Sequence, residues 1–146
     1  MSYKITDPEA GKEYEACSLT INFASAKAIA EGRQKIELRA GIEYYEKKFC
    51  DVKAINEKGY MSGADMYNIP ALHLYDRGGR FEVNVTIKEC GFFECNKKGL
   101  DAMRKLYDFH DFDNEKPPKG AWYFYFIIDK VINSRGLDKA KPYATK

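Results

Sequence analysis

The stretch "ALHLYDRGGRFEVNVTIKEC", Ala71 to Cys90, decides the fold, because two strand-like runs flank a glycine-bearing turn in it. After the turn, apolar and polar residues alternate: Phe81, Val83, Val85 and Ile87 against Glu82, Asn84, Thr86 and Lys88. A period of two is typical of a half-buried strand. Glycine readily adopts the positive φ values that short loops need. We therefore predict a β-hairpin whose five-residue loop runs from Asp76 to Arg80.

Downstream of the hairpin, "NKKGLDAMRKLYDFHDF", residues 96–112, predicts a helix that Asn96 caps. Its apolar stripe consists of Leu100, Met103, Leu106, Tyr107 and His110. Pro117 and Pro118 then exclude further helix. "AWYFYFIIDKVIN", residues 121–133, is apolar on both faces and predicts a central strand. The polar tail from 135 to 146 is expected to fray.

Upstream, "SLTINF", residues 18–23, alternates as a strand does, and "ASAKAIAEGRQ" after it predicts a helix for which Ser25 is a possible cap. Residues 35–49, "KIELRAGIEYYEKKF", fit both periods. We favour a strand because Gly41 costs a helix interior about 1 kcal/mol. The alternative is one long helix over residues 24–49. We expect a short strand over residues 52–55, a loop up to Pro70, and an N-terminal arm or loop over residues 1–15.

These elements predict a single α+β domain over residues 1–146, since the chain shows no internal repeat and no long linker. Its expected architecture is a mainly antiparallel sheet of four to six strands with two helices packed on it.

The composition limits the classes of partner. Lys and Arg total 24 against 22 for Asp and Glu, so the net charge of +2 does not favour a nucleic-acid partner. The N-terminus lacks a signal-peptide pattern, and charges interrupt every apolar run before membrane-spanning length. We therefore expect a cytoplasmic protein with no membrane partner and with free thiols rather than disulfides. The oligomeric state remains open.

The segment "KECGFFECNKKG" raises the question of a metal or redox site. Cys90 and Cys95 form C-x4-C, at the edge of the spacing that zinc sites use, and His110 is the best third ligand. The C-x-x-C spacing of a redox pair is missing, so we favour thiols that fill space beside two phenylalanines. The sequence shows no nucleophile elbow and no phosphate-binding loop. These features favour a protein that is not an enzyme and holds no cofactor.

Eleven tyrosines exceed what a core of this size needs, and tyrosine is enriched at protein interfaces. Within "NEKGYMSGADMYNIP" and at the hairpin tip, the predicted binding residues are Tyr60, Met61, Met66, Tyr67, Arg77 and Arg80. We expect a non-enzymatic protein that binds a macromolecular partner, as a small inhibitor or adaptor does, including phage-encoded antagonists of bacterial defence systems. The alternatives are a nucleic-acid-binding domain, or a small-ligand or metal-binding protein or enzyme that uses Cys90, Cys95 and His110.

Overall fold

The computed structural model describes residues 3–112 and 121–138. The strands in these ranges are β1 (Tyr3–Asp7), β2 (Lys12–Thr20), β3 (Ile36–Ala40), β4 (Ala71–Tyr75), β5 (Glu82–Glu94) and β6 (Trp122–Arg135). The α-helices are α1 (Phe23–Ala30), α2 (Glu43–Phe49), α3 (Val52–Lys58) and α4 (Lys97–Leu106). A single 3-10 turn, Gly63–Asp65, precedes β4.

The six strands form one sheet in the order β1-β2-β4-β5-β6-β3. Pairs β1/β2 and β4/β5 are antiparallel, whereas β2 and β4 are parallel. The α+β class is confirmed, but the sheet is mixed rather than mainly antiparallel, and the described residues form four helices instead of two. The parallel pair arises because a long helical connection separates β2 from β4, as parallel strands require.

The predicted hairpin is confirmed. Strands β4 and β5 pair from Ala71 opposite Thr86 to Tyr75 opposite Glu82. The Asp76 amide donates to the Phe81 carbonyl at 2.9 Å, which extends the pairing by one residue beyond the expected loop boundary. Gly79 has φ +76°, so the glycine supplies the positive backbone angle for which it was predicted.

The stretch expected to be an arm or loop, residues 1–15, contains β1 and the first part of β2. The turn between these strands is fixed by the Asp7 carboxylate, which accepts the amides of Glu9 at 3.0 Å and Ala10 at 3.4 Å. Ile5 is the one buried apolar residue of β1, because Asp7 is the other buried side chain and the exposed Tyr3 is the only other large apolar one, so the apolar period is too weak to reveal a strand.

Residues 24–49 form a helix, a strand and a second helix rather than one long helix. The strand predicted over residues 35–49 is confirmed only for Ile36–Ala40, which is β3. It is wrong for Glu43–Phe49, which forms α2 and accounts for the helical spacing that competed with the strand pattern. Gly41 separates the two, and the Trp122 ring packs directly against it, where a side chain would collide. The cap of α1 is Asn22, whose Oδ1 accepts the Ser25 amide at 2.8 Å, and not Ser25 itself.

The predicted strand over residues 52–55 is wrong, because this segment belongs to α3. Asp51 caps the helix by accepting the Ala54 amide at 3.2 Å, and Gly59, with φ +84°, ends it in the left-handed conformation. The Asn96-capped helix is confirmed as α4, but it ends at Leu106, so His110 lies beyond it. The prolines after it and the last residues of the predicted tail lie outside the described ranges.

The chain divides into two compact units. The first unit comprises Met1–Lys35, Ile69–Glu89 and Ile127–Lys146, and the second comprises Ile36–Asn68 and Cys90–Phe126. In the first, Ile5, Ala16 and Ala71 form a buried cluster. In the second, the fully buried Phe49 ring packs edge-on against Phe124 and Phe126. Across the described ranges, none of the helices has the length and apolar character needed to cross a bilayer.

Candidate contact surfaces

The predicted contact loop, residues 60–67, lies in the second unit and is anchored through its backbone. The Tyr67 amide donates to the Phe49 carbonyl at 2.7 Å, and the Asp51 amide donates to the Asp65 carbonyl at 2.8 Å. Cys50 and Met66 also form an isolated β-bridge. The loop is therefore fastened at its C-terminal end to the residues that join α2 and α3.

The Asp65 carboxylate stabilises the contact loop through hydrogen bonds to residues before and within it. The buried Asp65 side chain accepts the Lys58 ammonium at 2.7 and 2.6 Å, the Ser62 amide at 2.8 Å and the Ser62 hydroxyl at 3.1 Å. The Lys58 hydrogen bond, followed by that of the Ser62 amide, holds the pKa of Asp65 below its usual value. Asp65 is thus an anion at neutral pH and fixes both ends of the turn.

The two tyrosines of the contact loop point to solvent. Tyr60 is 63% exposed and Tyr67 is 51% exposed, while Met61 and Met66 are half-buried. The Lys58 ammonium lies 5.1 Å from the centre of the Tyr60 ring, a cation–π distance that restrains the ring. Of the predicted binding residues in the loop, the two tyrosines are exposed and the two methionines lie partly beneath the surface. Their role in binding remains a prediction.

Exposed apolar side chains concentrate in the second unit. Of the six large hydrophobic residues exposed in the described ranges, one belongs to the first unit and five to the second: Tyr3, then Ile42, Tyr44, Tyr60, Tyr67 and Leu106. Leu106 had been assigned to the apolar stripe of the helix by its periodicity, which cannot tell which turn of a helix reaches the surface. Contiguous apolar patches are typical of interaction sites, and two of these five residues, Tyr60 and Tyr67, belong to the contact loop.

The hairpin tip, with Arg77 and Arg80, lies in the first unit and is considered by itself. The Arg80 guanidinium donates to Asp76 at 2.9 and 3.3 Å. Burial acts to raise the pKa of Asp76, but hydrogen bonds from Arg80 outweigh it and the pKa is lowered. Arg77 is exposed and lines an open groove of about 550 Å³ beside Asn22. The side chain of Arg80 therefore stabilises the turn through Asp76, and the side chain of Arg77 is exposed at the hairpin tip.

The first unit contains a buried polar network that the sequence did not reveal. Asn84, only 2% exposed, donates its amide hydrogens to Glu82 at 2.9 Å and Asn133 at 2.7 Å. Its Oδ1 therefore faces His73 Nδ1 at 2.7 Å, so Nδ1 carries the proton. The Tyr3 ring stacks on the imidazole with centroids 3.6 Å apart. The network therefore has His73 and Asn84 at its buried centre and reaches the surface at Asn133 and Tyr3.

Thr86 is a second exception on the same strand. Its alternation with apolar neighbours had placed it on the polar face of β5, yet it is buried. Within the described ranges its Oγ1 has no hydrogen-bond partner. A buried hydroxyl without a partner costs stability, since it has lost its water without replacement.

The structure does not show a chemical role for the cysteines and histidine of the alternative hypothesis. Cys95 is buried, and burial raises the pKa of its thiol. Cys90 is half-buried, while His110 is exposed, with Nε2 2.6 Å from Asp108 Oδ1. No group of three or more His, Cys, Asp or Glu side chains is placed to hold a metal ion within residues 3–112 and 121–138. Their use in ligand binding or catalysis remains a prediction.

The aromatic residues of β6 bear on the nucleic-acid alternative. Phe124 and Phe126 are fully buried, and Trp122 packs edge-on against Phe92 and Phe124. Proteins that bind single strands offer exposed ring faces to the bases. These three rings are instead engaged with the core of the second unit.

No protein-family model matches the chain, and no curated protein or solved structure is significantly similar to it. The functional argument therefore rests on the surfaces described above.

Proposed function

We propose that this protein is a non-enzymatic interaction protein that binds a protein partner through its contact loop. The observation that carries this proposal is the exposure of Tyr60 and Tyr67 on a backbone fixed by the Asp65 hydrogen bonds. Tyrosine offers a large contact area and a hydrogen-bonding hydroxyl, and it is enriched among the residues that dominate binding energy.

The fixed backbone matters as much as the rings. A loop that must be ordered on binding pays part of its interaction energy for that ordering, whereas a pre-ordered loop does not. Here the loop ends are joined to α2 and α3 through Phe49 and Asp51, and Lys58 restrains the Tyr60 ring. A small domain that presents such a surface acts by occupying a site on a larger protein, as inhibitors and adaptors do. Phage-encoded antagonists of bacterial defence belong to this class of function.

The test starts with capture of partners by the purified protein, followed by affinity measurements with each isolated partner. Tyr60→Ser and Tyr67→Ser should each weaken binding about 30-fold, corresponding to about 2 kcal/mol. Tyr44→Ser is the matched control, because Tyr44 is equally exposed, at 62%, in the same unit but outside the loop. Circular dichroism verifies that all variants fold.

Two results would refute the proposal. Equal losses for Tyr44→Ser and Tyr60→Ser would show that the loop has no special part in binding. Capture of an oligonucleotide whose log affinity falls linearly with log salt concentration, with no protein partner, would support the nucleic-acid alternative instead.

A further inference from the structure

A sulfur pair lies behind the contact loop. The Cys50 thiol donates to the Met61 thioether, with the two sulfurs 3.8 Å apart. Cys50 is 1% exposed, whereas Met61 is half-buried and follows the exposed Tyr60. Cys50 also forms the backbone bridge to Met66. The pair therefore connects the outer surface of the loop to the point where the loop is anchored.

The two sulfurs differ in their reactivity towards peroxides. Burial, followed by the charges of Glu46 and Asp65, raises the pKa of the Cys50 thiol to about 11. Because the thiolate is the reactive form of cysteine, Cys50 is almost inert at neutral pH. A thioether needs no deprotonation and is oxidised according to its exposure. Met61 is more accessible than the buried Met103, so it is the preferred target of these two methionines.

Oxidation would change the contact that Met61 makes. A hydroperoxide transfers one oxygen to Sδ as its O–O bond breaks, the thioether becomes a sulfoxide, and water or an alcohol leaves. The sulfoxide oxygen is polar and needs hydrogen-bond donors, while the sulfur now faces the buried Cys50 at contact distance. The Cys50 thiol is only a weak donor and satisfies this oxygen less well than water does, so the side chain turns to solvent and the contact is lost.

We propose that Met61 is an oxidation site for hydroperoxides, and that its sulfoxide releases the contact loop from Cys50. The consequence that partner affinity falls rests on the proposed function. Because residues 59–65 connect Lys58 to Asp65, release of Met61 also loosens the ion pair between them.

The first experiment needs no partner. The full-length protein is treated with hydrogen peroxide, oxidation is located by peptide mass spectrometry, and loop opening is followed as tryptic cleavage after Lys58. We expect Met61 to oxidise about tenfold faster than Met103, and cleavage to rise in parallel. Met61→Leu should resist this change, Met66→Leu should behave as the parent does, and sulfoxide reductase should restore protection.

The opposite results are equally clear. Faster oxidation of Met103 or Cys50, or a Met61 sulfoxide that leaves cleavage after Lys58 unchanged, would overturn the inference. Loop opening with unchanged affinity for the captured partner would instead contradict the proposed function and leave the oxidation site standing.

Discussion

In this protein most buried polar residues lie in the first compact unit, and most exposed large apolar residues lie in the second. Polar side chains are usually exposed and large apolar side chains are usually buried in a folded protein. Of the seven buried polar residues in the described ranges, five lie in the first unit, among them His73, Asn84 and Thr86. Of the six exposed large hydrophobic residues, five lie in the second unit, among them Tyr60 and Tyr67. Buried polar and exposed apolar groups are the informative exceptions in a folded protein. The difference teaches where to look for each role: we expect the buried network to contribute to stability, and we propose that the exposed rings serve a partner.

The buried network gives the largest expected effect on folding. Asn84→Ala removes three hydrogen bonds at once and leaves His73 without its Nδ1 partner, so we expect a loss of about 3 kcal/mol in the free energy of unfolding. The matched control is Asn133→Ala, at an exposed residue that makes one of these bonds, with an expected loss of about 1 kcal/mol. Urea unfolding measures both, and equal small losses would mean that the network is not structurally important.

Replacing the unpartnered hydroxyl should have the opposite sign. Thr86→Val keeps the shape of the side chain and removes the buried Oγ1, so we expect a gain of about 1 kcal/mol. Thr6→Val on the exposed surface of β1 is the control and should change stability little. Destabilisation by Thr86→Val would show that a bound water satisfies this hydroxyl in solution.

In the second unit, acid should open the contact loop before it unfolds the protein. The hydrogen bond from Lys58 lowers the pKa of Asp65 in the folded protein. The ionised carboxylate therefore contributes its full stabilisation at pH values above the unfolded-state pKa of about 4. This stabilisation is lost as the pH falls through the lower pKa of the folded state. Hydrogen-exchange protection of the Ser62 amide should therefore decrease below about pH 4. Asp65→Ala removes the acceptor of the Ser62 amide and should lack protection already at neutral pH, whereas Asp101→Ala in α4 should retain it. Protection that is independent of pH in the parent protein would contradict this role of Asp65.

The smallest effect is expected where function is proposed. Tyr60→Ser and Tyr67→Ser should change the free energy of unfolding by less than about 0.5 kcal/mol, because both rings are exposed. Urea unfolding of the variants used for affinity measurements checks this point. A loss above 1 kcal/mol would mean that the rings cover the fold rather than serve a partner.

The sequence predicts those parts of the fold that depend on local signals. The β4–β5 hairpin and the Asn96-capped helix follow from alternation, glycine and a capping side chain that lie within a few residues of one another. The parallel pairing of β2 with β4 joins residues more than fifty positions apart, for which no local signal exists. The prediction of a strand over residues 52–55 was wrong because the signals that bound α3 are ambiguous. Asp51 caps this helix and Gly59 ends it, but both residue types are also common in loops.

The surfaces were only partly accessible to sequence reasoning. Tyrosines near glycines favoured the contact loop, since this composition is unusual for a core, and the exposure of Tyr60 and Tyr67 agrees with that part, while their role in binding remains a prediction. The burial of Asn84 could not be predicted, because its partners His73 and Asn133 lie on other strands and a polar residue in an alternating strand indicates a solvent-facing position. The hydrogen bond from Lys58 to Asp65 could not be predicted either, because it forms only when the chain between these residues folds into a closed turn.

The close packing of Trp122 against Gly41 gives the second unit an optical label. Trp122 is the single tryptophan of the chain. Tryptophan fluorescence, excited selectively at the long-wavelength edge of the absorption band, therefore reports the surroundings of one residue in that unit. Far-ultraviolet dichroism, in contrast, averages over the strands and helices of both units. Comparing the two signals during unfolding distinguishes a single cooperative transition, in which they coincide, from loss of the second unit at its own denaturant concentration.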